Sequence, residues 1–546
     1  MATMNARLLP CLPGLSALAV SLCLPAQAAP DVDTRPVPAI PRASRLPSNW
    51  QHGVFLEVFV RAYQDSNGDG IGDLRGLTRR LDYLKKLGIS GLWLMPITAS
   101  SDHDHGYATT DFRSVEPDYG TLADVDELLR QAHKRGIGIV MDYVINHASW
   151  TFPPFQQAVA DRDSPWRSWF VWNPDPGPDW DIWGKVPWYD AATQPWTWTG
   201  AWKDMPALQP GSPDIYFGTF GPHMPDFNMR NPAVVQYHED SLRFWLNRGL
   251  DGFRLDAVPH LIENSAKDWN DQPESRALTK HFQDLIKSYP GRYVVCEATA
   301  EPIAYGDPAV CGGAFAFKLN EEMIKAAKGD TAAVQAVADY YRSMSPTMAT
   351  FLHNHDIFTG QRVWDQLRGD EARYRLAAAS YLLLPGTPFV YYGEEIGLAG
   401  VDGEGDEPLR APMSWTAANR GPEGFTAGAE PFRPFSLNRS RHNAEAQQRD
   451  AGSLFNFYRA LIALRRAEPA LTLGRYESDR VDGTVWSFQR VHGRQRVFVA
   501  INYGDTAASV ALPAAARRLH PARGGMVRGR ATLPPLSVRV YRLEAS

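Results

Sequence analysis

Four short segments constrain the fold of this chain more than any other feature of its sequence. Each is a mostly apolar run that contains or ends in charged and polar residues: DYVINH (142–147), GFRLDAVPH (252–260), VVCEA (294–298) and FLHNHD (351–356). Short apolar runs that end in polar residues are typical of buried parallel strands, which deliver side chains to one edge of a sheet. In a (β/α)8 barrel that edge, the C-terminal face, holds the functional residues. The pattern predicts an α/β fold built on a TIM barrel.

Three carboxylates belong to these runs. Asp256 follows GFRL, Glu297 follows VVC and Asp356 ends FLHNHD. Converging carboxyl groups suit glycoside hydrolysis, in which one attacks the anomeric carbon and another protonates the leaving oxygen. Arg254 precedes Asp256 by two residues and points to the same side, because side chains alternate along a strand. We expect the charge of Arg254 to keep Asp256 ionised.

Predicted strands and helices alternate along much of the chain, as in parallel α/β folds. The strands are predicted at 54–60, 91–95, 137–143, 252–256, 293–297, 314–317, 347–353 and 389–392, and the main helices at 74–87, 124–135, 233–248 and 453–466. The alternation stops between residues 148 and 228, an irregular segment with ten of the seventeen tryptophans. A connection of that length is expected to be functional.

The remaining segments complete the predicted domain organisation. Arg7, an apolar stretch and Ala26-Gln27-Ala28 predict a signal peptide at 1–28, and hence a secreted or periplasmic bacterial protein. Residues 29–48 are predicted to be a tether, 49–147 and 229–468 the barrel, 148–228 an inserted domain and 469–546 a C-terminal antiparallel β-sandwich.

Composition limits the partners. The net charge of −5 gives no electrostatic reason to expect nucleic acid, and no later stretch is long and apolar enough to cross a membrane. We expect a monomer. After removal of the leader only Cys296 and Cys311 remain, and they form either a disulfide in an oxidising compartment or two separate thiols.

The four segments, taken in order, resemble those of the α-amylase family of retaining glycoside hydrolases. The resemblance implies that Asp256 is the nucleophile, Glu297 the acid/base and Asp356 the third carboxylate, with 148–228 as domain B beside the cleft. MPDFN (224–228) resembles the MPDLN form of an intermediate group between oligo-1,6-glucosidases and neopullulanases.

The resemblance also implies contacts with the sugar. The matching residues are Tyr107, His147, Arg254, His260, Asn354 and His355. Many relatives carry Asp after the matched Tyr107, whereas this chain has Ala108, so one polar contact usual in exo-acting glucosidases is expected to be missing.

The loop DSNGDGIGD (65–73) offers oxygen ligands at alternate positions. The predicted ligands of Ca²⁺ are Asp65, Asn67, Asp69, the carbonyl of Ile71, and Asp73. The loop begins like an EF-hand, but the twelfth position is Gly76 rather than Glu. It resembles a calcium site of part of the α-amylase family, and a solvated turn is the alternative.

The activity expected from the resemblance is that of an α-amylase cutting α-1,4 bonds of starch, maltodextrins or related α-glucans. Ala257 after the nucleophile matches enzymes that cut these bonds, whereas RAPMSW (410–415) resembles a motif of glucosidases. The alternatives are an exo-acting α-glucosidase or an oligo-1,6-glucosidase or transglucosidase on short maltooligosaccharides. A catalytically silent binding protein is disfavoured, because all three carboxylates are present.

Overall fold

The computed structural model describes residues 32–193 and 213–544, and the predicted signal peptide lies outside these ranges. The strands of the first part are β1 (Phe55–Val58), β2 (Gly91–Leu94), β3 (Ala99–Ser100), β4 (Thr109–Asp111), β5 (Gly138–Tyr143), β6 (Trp188–Asp190), β7 (Ile215–Phe217), β8 (Gly252–Leu255), β9 (Tyr293–Cys296), β10 (Ala349–Thr350) and β11 (Thr387–Tyr391). Those of the last part are β12 (Arg475–Asp482), β13 (Val485–His492), β14 (Gln495–Asn502), β15 (Ala508–Ala511), β16 (Ala516–His520), β17 (Met526–Val527), β18 (Arg530–Leu533) and β19 (Ser537–Leu543).

The α-helices lie mainly around the barrel. They are α1 (Leu74–Arg79), α2 (Leu81–Leu87), α3 (Leu122–Lys134), α4 (Pro153–Ala160), α5 (Pro232–Arg248), α6 (Pro273–Lys287), α7 (Pro302–Tyr305), α8 (Leu319–Ala327), α9 (Thr331–Ser343), α10 (Val363–Gln366), α11 (Glu371–Leu382), α12 (Ala444–Arg449), α13 (Leu454–Ala467) and α14 (Pro469–Leu473). Within the described ranges, none of the helices is long and apolar enough to cross a membrane.

The predicted TIM barrel is confirmed. Seven parallel strands are hydrogen-bonded in the order β10–β11–β1–β2–β5–β8–β9. The predicted sixth strand at 314–317 is reduced to two isolated bridges, in which Ala314 pairs with Cys296 and Phe315 with Ala349. These bridges lie between β9 and β10, so the ring has eight positions. Phe55, Trp93, Phe315 and Phe389 pack together in its interior.

The helix predicted at 74–87 is interrupted. Arg80 separates α1 from α2, with φ −94° and ψ 2°. Its guanidinium lies 4.2 Å from the ring centroid of Trp415 and its Nε donates to Gln64 (2.6 Å). These long-range contacts accompany a break that helical periodicity does not reveal.

Domain B leaves and rejoins the barrel at one point, since His147 pairs with Asp226. It contains α4 and the antiparallel pair β6–β7. Trp150, Trp169 and Trp188 are at most 7% exposed and form part of its aromatic interior. Most described tryptophans of this segment are therefore packing residues.

The C-terminal domain is antiparallel, as predicted. Its larger sheet has the order β12–β13–β14–β19–β16–β17, and β15 pairs with β18 in a second sheet. Residues from both sheets, including Phe498 and Leu533, share one apolar cluster. Alternating burial along β18 matches the alternating sequence pattern.

Two segments outside regular structure are held to the barrel. In the predicted tether, the N–H groups of Val37 and Ile40 donate to Asp240 (2.9 Å) and Asn247 (3.1 Å) of α5. Cys296 and Cys311 form a disulfide, which decides between the two predicted alternatives. The bond joins the last residue of β9, directly before Glu297, to the loop beyond α7.

Candidate active site

The C-terminal ends of the barrel strands surround a cavity of about 960 Å³. Asp256, Glu297 and Asp356, predicted from three separate segments, all line it. Backbone hydrogen bonds continue the sheet one residue beyond each strand: Asp256 donates to Tyr143 (3.1 Å) and Glu297 to Leu255 (2.9 Å). Both carboxylates therefore extend from rigid strand ends.

Arg254 connects the acidic groups. It lies on β8 two residues before Asp256, and its side chain is 1% exposed. Its Nη1 donates to Asp142 (2.8 Å) and to Asp256, and its Nη2 lies 2.9 Å from Oε2 of Glu297. One guanidinium thus holds the predicted nucleophile and acid/base together, as the alternation of side chains along β8 requires.

Burial is the largest influence on the pKa values of Asp256 and Glu297. It raises the pKa of Asp256, and the positive charge of Arg254 opposes that rise. Burial also raises the pKa of Glu297 to about 7, against Arg254, and the negative charge of Asp256 adds to the increase. A carboxylic acid with a raised pKa beside a carboxylate held by Arg254 provides an acid and a nucleophile in one site.

Asp356 lies on the other side of the cavity, after β10. Its carboxylate is 3.2 Å from Nε2 of His355, whose Nδ1 is bonded to Glu57 (2.6 Å). Burial and the charges of Asp406 and Glu297 raise the pKa of Asp356 well above its usual range. The His355 ring is also stacked on Tyr107, with 5.5 Å between centroids.

Four of the six predicted sugar contacts line the cavity: Tyr107, His147, Arg254 and His260. Both ring nitrogens of buried His147 lack a hydrogen-bond partner in the described part of the chain. Burial lowers the pKa of His147 to about 3 and that of His260 to about 4, so both are neutral at pH 7. Neutral imidazoles can donate to and accept from sugar hydroxyls.

The other two predicted contacts, Asn354 and His355, hydrogen-bond to residues that line the cavity. The side chain of Asn354 accepts from the backbone of Asp356 (2.9 Å) and from Thr359 (2.9 Å), which fixes the loop that carries Asp356. His355 bonds to the hydroxyl of Tyr107 (2.8 Å) and to Glu57.

A group of ion pairs borders the cavity near Asp356. None of its residues was predicted as a site residue. Arg410, 3% exposed, lies 3.0 Å from Asp104 and 3.0 Å from Asp406. Its Nε donates to the carbonyl of His355 (3.4 Å), and Asp406 accepts from the backbone of Ile357 (2.8 Å). We call Arg410, Asp104 and Asp406 together the Arg410 wall. The glucosidase-like segment 410–415 was its only sequence signal.

Domain B and the loop after β8 form the side of the cavity opposite the Arg410 wall. His260 is stacked on Trp269 with an interplanar angle of 7°, and Trp183 and Phe220 pack against His260. β8 and β11 are the fourth and eighth positions of the barrel, so the loops that follow them lie on opposite sides of the ring. Asp256, Glu297 and Asp356 line the same cavity as the Arg410 wall and this aromatic side.

The predicted calcium loop precedes α1, and its side chains order its own backbone. Asp65 accepts from the N–H groups of Asn67, Gly68 and Gly70 at 2.7–3.0 Å. Asp73 accepts from Ser66 and Gly76, both at 2.7 Å. A carboxylate has about four lone-pair positions, so these contacts leave acceptor capacity, and the all-oxygen donor set fits Ca²⁺.

Comparisons with known proteins add to this geometry. The profile of the α-amylase catalytic domain matches residues 57–474. The trehalose synthase/amylase TreS of Mycolicibacterium smegmatis is 36% identical over 486 residues, covering 80% of this chain and 79% of the relative. A probable α-glucosidase of Rhizobium meliloti is 29% identical over 538 residues, covering 87% and 92% of the two chains.

Solved structures share the whole architecture. The α-glucosyl transfer enzyme XgtA has a TM-score of 0.77 and 28% identity, covering 91% of this chain and 99% of XgtA. The α-amylase from H. orenii has a TM-score of 0.75 and 31% identity, covering 90% and 100%. The similarity thus includes barrel, inserted domain and C-terminal domain.

Proposed function

Because this chain belongs to the α-amylase family of glycoside hydrolases, we propose that it acts on short α-glucosides from their non-reducing end. It removes one glucosyl unit at a time, with retention of configuration, and passes it to water or to another sugar. The observation that carries this proposal is the Arg410 wall beside Asp356. An enzyme that cuts within a long chain needs a cleft open on both sides of the scissile bond.

The wall favours recognition of a chain end. Arg410 contacts Asp104, Asp406 and the backbone of His355, so three loops meet through direct contacts of 3.0–3.4 Å. These contacts join the loops on this side of the cavity, which favours a closed end over an open cleft. Asp104 and Arg410 also offer charged hydrogen-bonding groups to the hydroxyls of a terminal sugar.

This proposal replaces the α-amylase expected from the resemblance with the exo-acting alternative. That prediction relied on Ala257, on 224–228 and on Ala108 standing where many relatives have Asp. The structure provides an acid from another position, because Asp104 lies in the same loop and pairs with Arg410. The names of similar proteins, which refer to α-glucosidase, trehalose synthase and α-glucosyl transfer, support the change.

The proposed reaction has two displacements. Asp256 attacks the anomeric carbon while Glu297 gives its proton to the departing glycosidic oxygen. Glu297 then takes a proton from water or from a sugar hydroxyl, whose oxygen attacks the anomeric carbon and releases Asp256. Two inversions at one carbon restore the α configuration. Arg254 orients both carboxyl groups throughout.

Product analysis tests the direction of cutting. We expect maltose to yield glucose and transfer products from the first minutes, whereas the viscosity of soluble starch changes little. Chromatography of reactions with maltose, isomaltose, trehalose and starch measures this, and NMR of fresh products reads the anomer. An early fall in starch viscosity, with maltose and longer oligosaccharides as first products, would favour the second candidate, an α-amylase, which Ala257 and the H. orenii similarity support.

We also propose that Ca²⁺ binds the 65–73 loop through Asp65, Asn67, Asp69, Ile71 and Asp73. The ion would connect the loop after β1 to the start of α1, away from the catalytic carboxylates. Its role would be to stabilise the fold.

Removal of Ca²⁺ is therefore expected to lower the melting temperature, because a ligand bound only to the native state stabilises it by mass action. Differential scanning fluorimetry with EGTA and with added Ca²⁺ measures the shift. Asp69→Asn should reduce the shift, because it removes the charge of one proposed ligand; Asp69 is exposed and its side chain hydrogen-bonds to Asn67 and Ile71 of the same loop. Identical melting curves with and without chelator, together with metal-free dialysed protein, would count against this proposal.

Export to an oxidising compartment, expected from the leader, is proposed on one further ground. The disulfide between Cys296 and Cys311 is of the kind that persists in secreted and periplasmic proteins.

A further inference from the structure

Trp183 has a left-handed backbone conformation that is unfavourable for a tryptophan. Residues 182–185 form a tight turn in which the backbones of Ile182 and Lys185 exchange two hydrogen bonds (2.8 and 3.0 Å). The central residues, Trp183 and Gly184, have φ of +52° and +80°. Positive φ at both positions defines a type I′ turn, which favours Asn, Asp or Gly.

Neither local conformation nor burial explains a tryptophan there. A bulky residue at positive φ is an outlier, because its Cβ crowds the backbone. The side chain of Trp183 is 59% exposed, whereas Trp188 in the following strand is 5% exposed. A strained residue that also leaves its apolar surface in solvent suggests a ligand contact.

The ring of Trp183 faces the catalytic cavity. It lines that cavity and packs against three aromatic groups: Phe220 (5.8 Å between centroids), His260 (5.5 Å) and Trp269 (5.5 Å). The planes of His260 and Trp269 are nearly perpendicular to it, at 83° and 87°. These edge contacts hold the indole in place while leaving apolar surface accessible.

The location assigns the part of the substrate that Trp183 would meet. The Arg410 wall lies on the barrel side opposite the loop that carries His260. If the terminal glucosyl unit lies against that wall, the sugar on the other side of the scissile bond points toward Trp183. Pyranose rings have an apolar C–H face, which suits a flat aromatic surface.

We propose that Trp183 is the stacking platform for the sugar beyond the scissile bond, a hexopyranose that is the leaving group in cleavage and the acceptor in transfer. This inference rests on the proposed exo-acting function. In transfer, a hydroxyl of the stacked sugar attacks the anomeric carbon, its proton goes to Glu297, and the bond from that carbon to Asp256 breaks. By holding the sugar, Trp183 favours transfer over attack by water.

The test is Trp183→Asn, which removes the platform but suits the turn. Asn is preferred at positive φ, so the variant is expected to melt at or above the wild-type temperature. For maltose we expect kcat/KM to fall about tenfold, from loss of the stacking surface. For α-glucosyl fluoride, which has no sugar beyond the scissile bond, kcat/KM should stay within about twofold. The ratio of transfer to hydrolysis at high maltose should also fall.

Two further variants sharpen the comparison. Trp183→Phe retains an aromatic face and should recover much of the maltose activity. Val186→Asn changes another apolar residue of the same segment, which is 48% exposed. This variant should leave kcat/KM unchanged for both maltose and α-glucosyl fluoride.

Unchanged maltose kinetics and transfer ratio in Trp183→Asn would overturn the inference while leaving the proposed function intact. An equal fall for maltose and α-glucosyl fluoride would overturn it too, because that pattern indicates a general structural role. Absence of turnover of both substrates by the unmodified enzyme would refute the proposed function and the inference together.

Discussion

Asp256→Asn is expected to abolish nearly all turnover of maltose, with a loss on the order of 10⁴-fold or more, as for removal of a catalytic nucleophile. The substitution removes the attacking charge and changes little volume. Arg254 keeps Asp142 and Glu297 as partners, so its buried charge remains compensated. The fold should therefore persist, which circular dichroism and thermal melting can verify.

The companion variant Asp256→Ala tests the role by stereochemistry. With α-glucosyl fluoride as donor, azide can enter the space that the carboxylate leaves and attack from the same face. The expected product is β-glucosyl azide, identified by NMR, because only one inversion occurs. A folded Asp256→Asn variant with near-normal activity would remove Asp256 from the nucleophile role.

Glu297→Gln has the second large expected effect. Loss of the proton donor should lower kcat/KM for maltose by about 10²- to 10⁴-fold, the usual contribution of general acid catalysis. With α-glucosyl fluoride, kcat/KM reports the first displacement alone and should fall much less, since fluoride departs without a strong proton donor. Similar losses for both substrates would contradict the assignment.

The pH dependence provides a second readout of the same variant. Burial raises the pKa of Glu297 to about 7, so the side chain is protonated below that pH and loses its proton as pH rises through it. For the unmodified enzyme, kcat/KM for maltose should therefore decline on the alkaline side of the profile. This limb should be absent for Glu297→Gln, because glutamine does not titrate in this range.

Individual elements show how far local sequence predicts structure. The strands that precede Asp256 and Glu297 were predicted to within one residue at their C-terminal ends, because a buried apolar run that stops at a charge is a local signal. The sixth strand at 314–317 and the helix at 74–87 were predicted less well. Both depend on remote contacts: 314–315 bridge β9 and β10, and Arg80 leaves the helix to contact Gln64 and Trp415.

The candidate site divides in the same way. The sequence identified Arg254 and the three carboxylates, since each is adjacent to or within an apolar strand. It also predicts sugar contacts for Asn354 and His355, which the structure places in hydrogen bonds to Asp356 and Tyr107. Nothing in the irregular segment of domain B distinguished Trp183 from the buried tryptophans.

Local sequence patterns predicted the barrel, the order of its domains and the three carboxylates that line its cavity. Those features follow from hydrophobic periodicity and from charges placed at strand ends, both of which act over a few residues. The two sides of the cavity were not predicted, because they are formed by residues far apart in the sequence. Asp104 and Arg410 are 306 residues apart. Trp183 belongs to the inserted domain and packs against His260, which follows β8 of the barrel. Contacts between such distant residues arise from the closure of the barrel, which brings the ends of all its strands to one face.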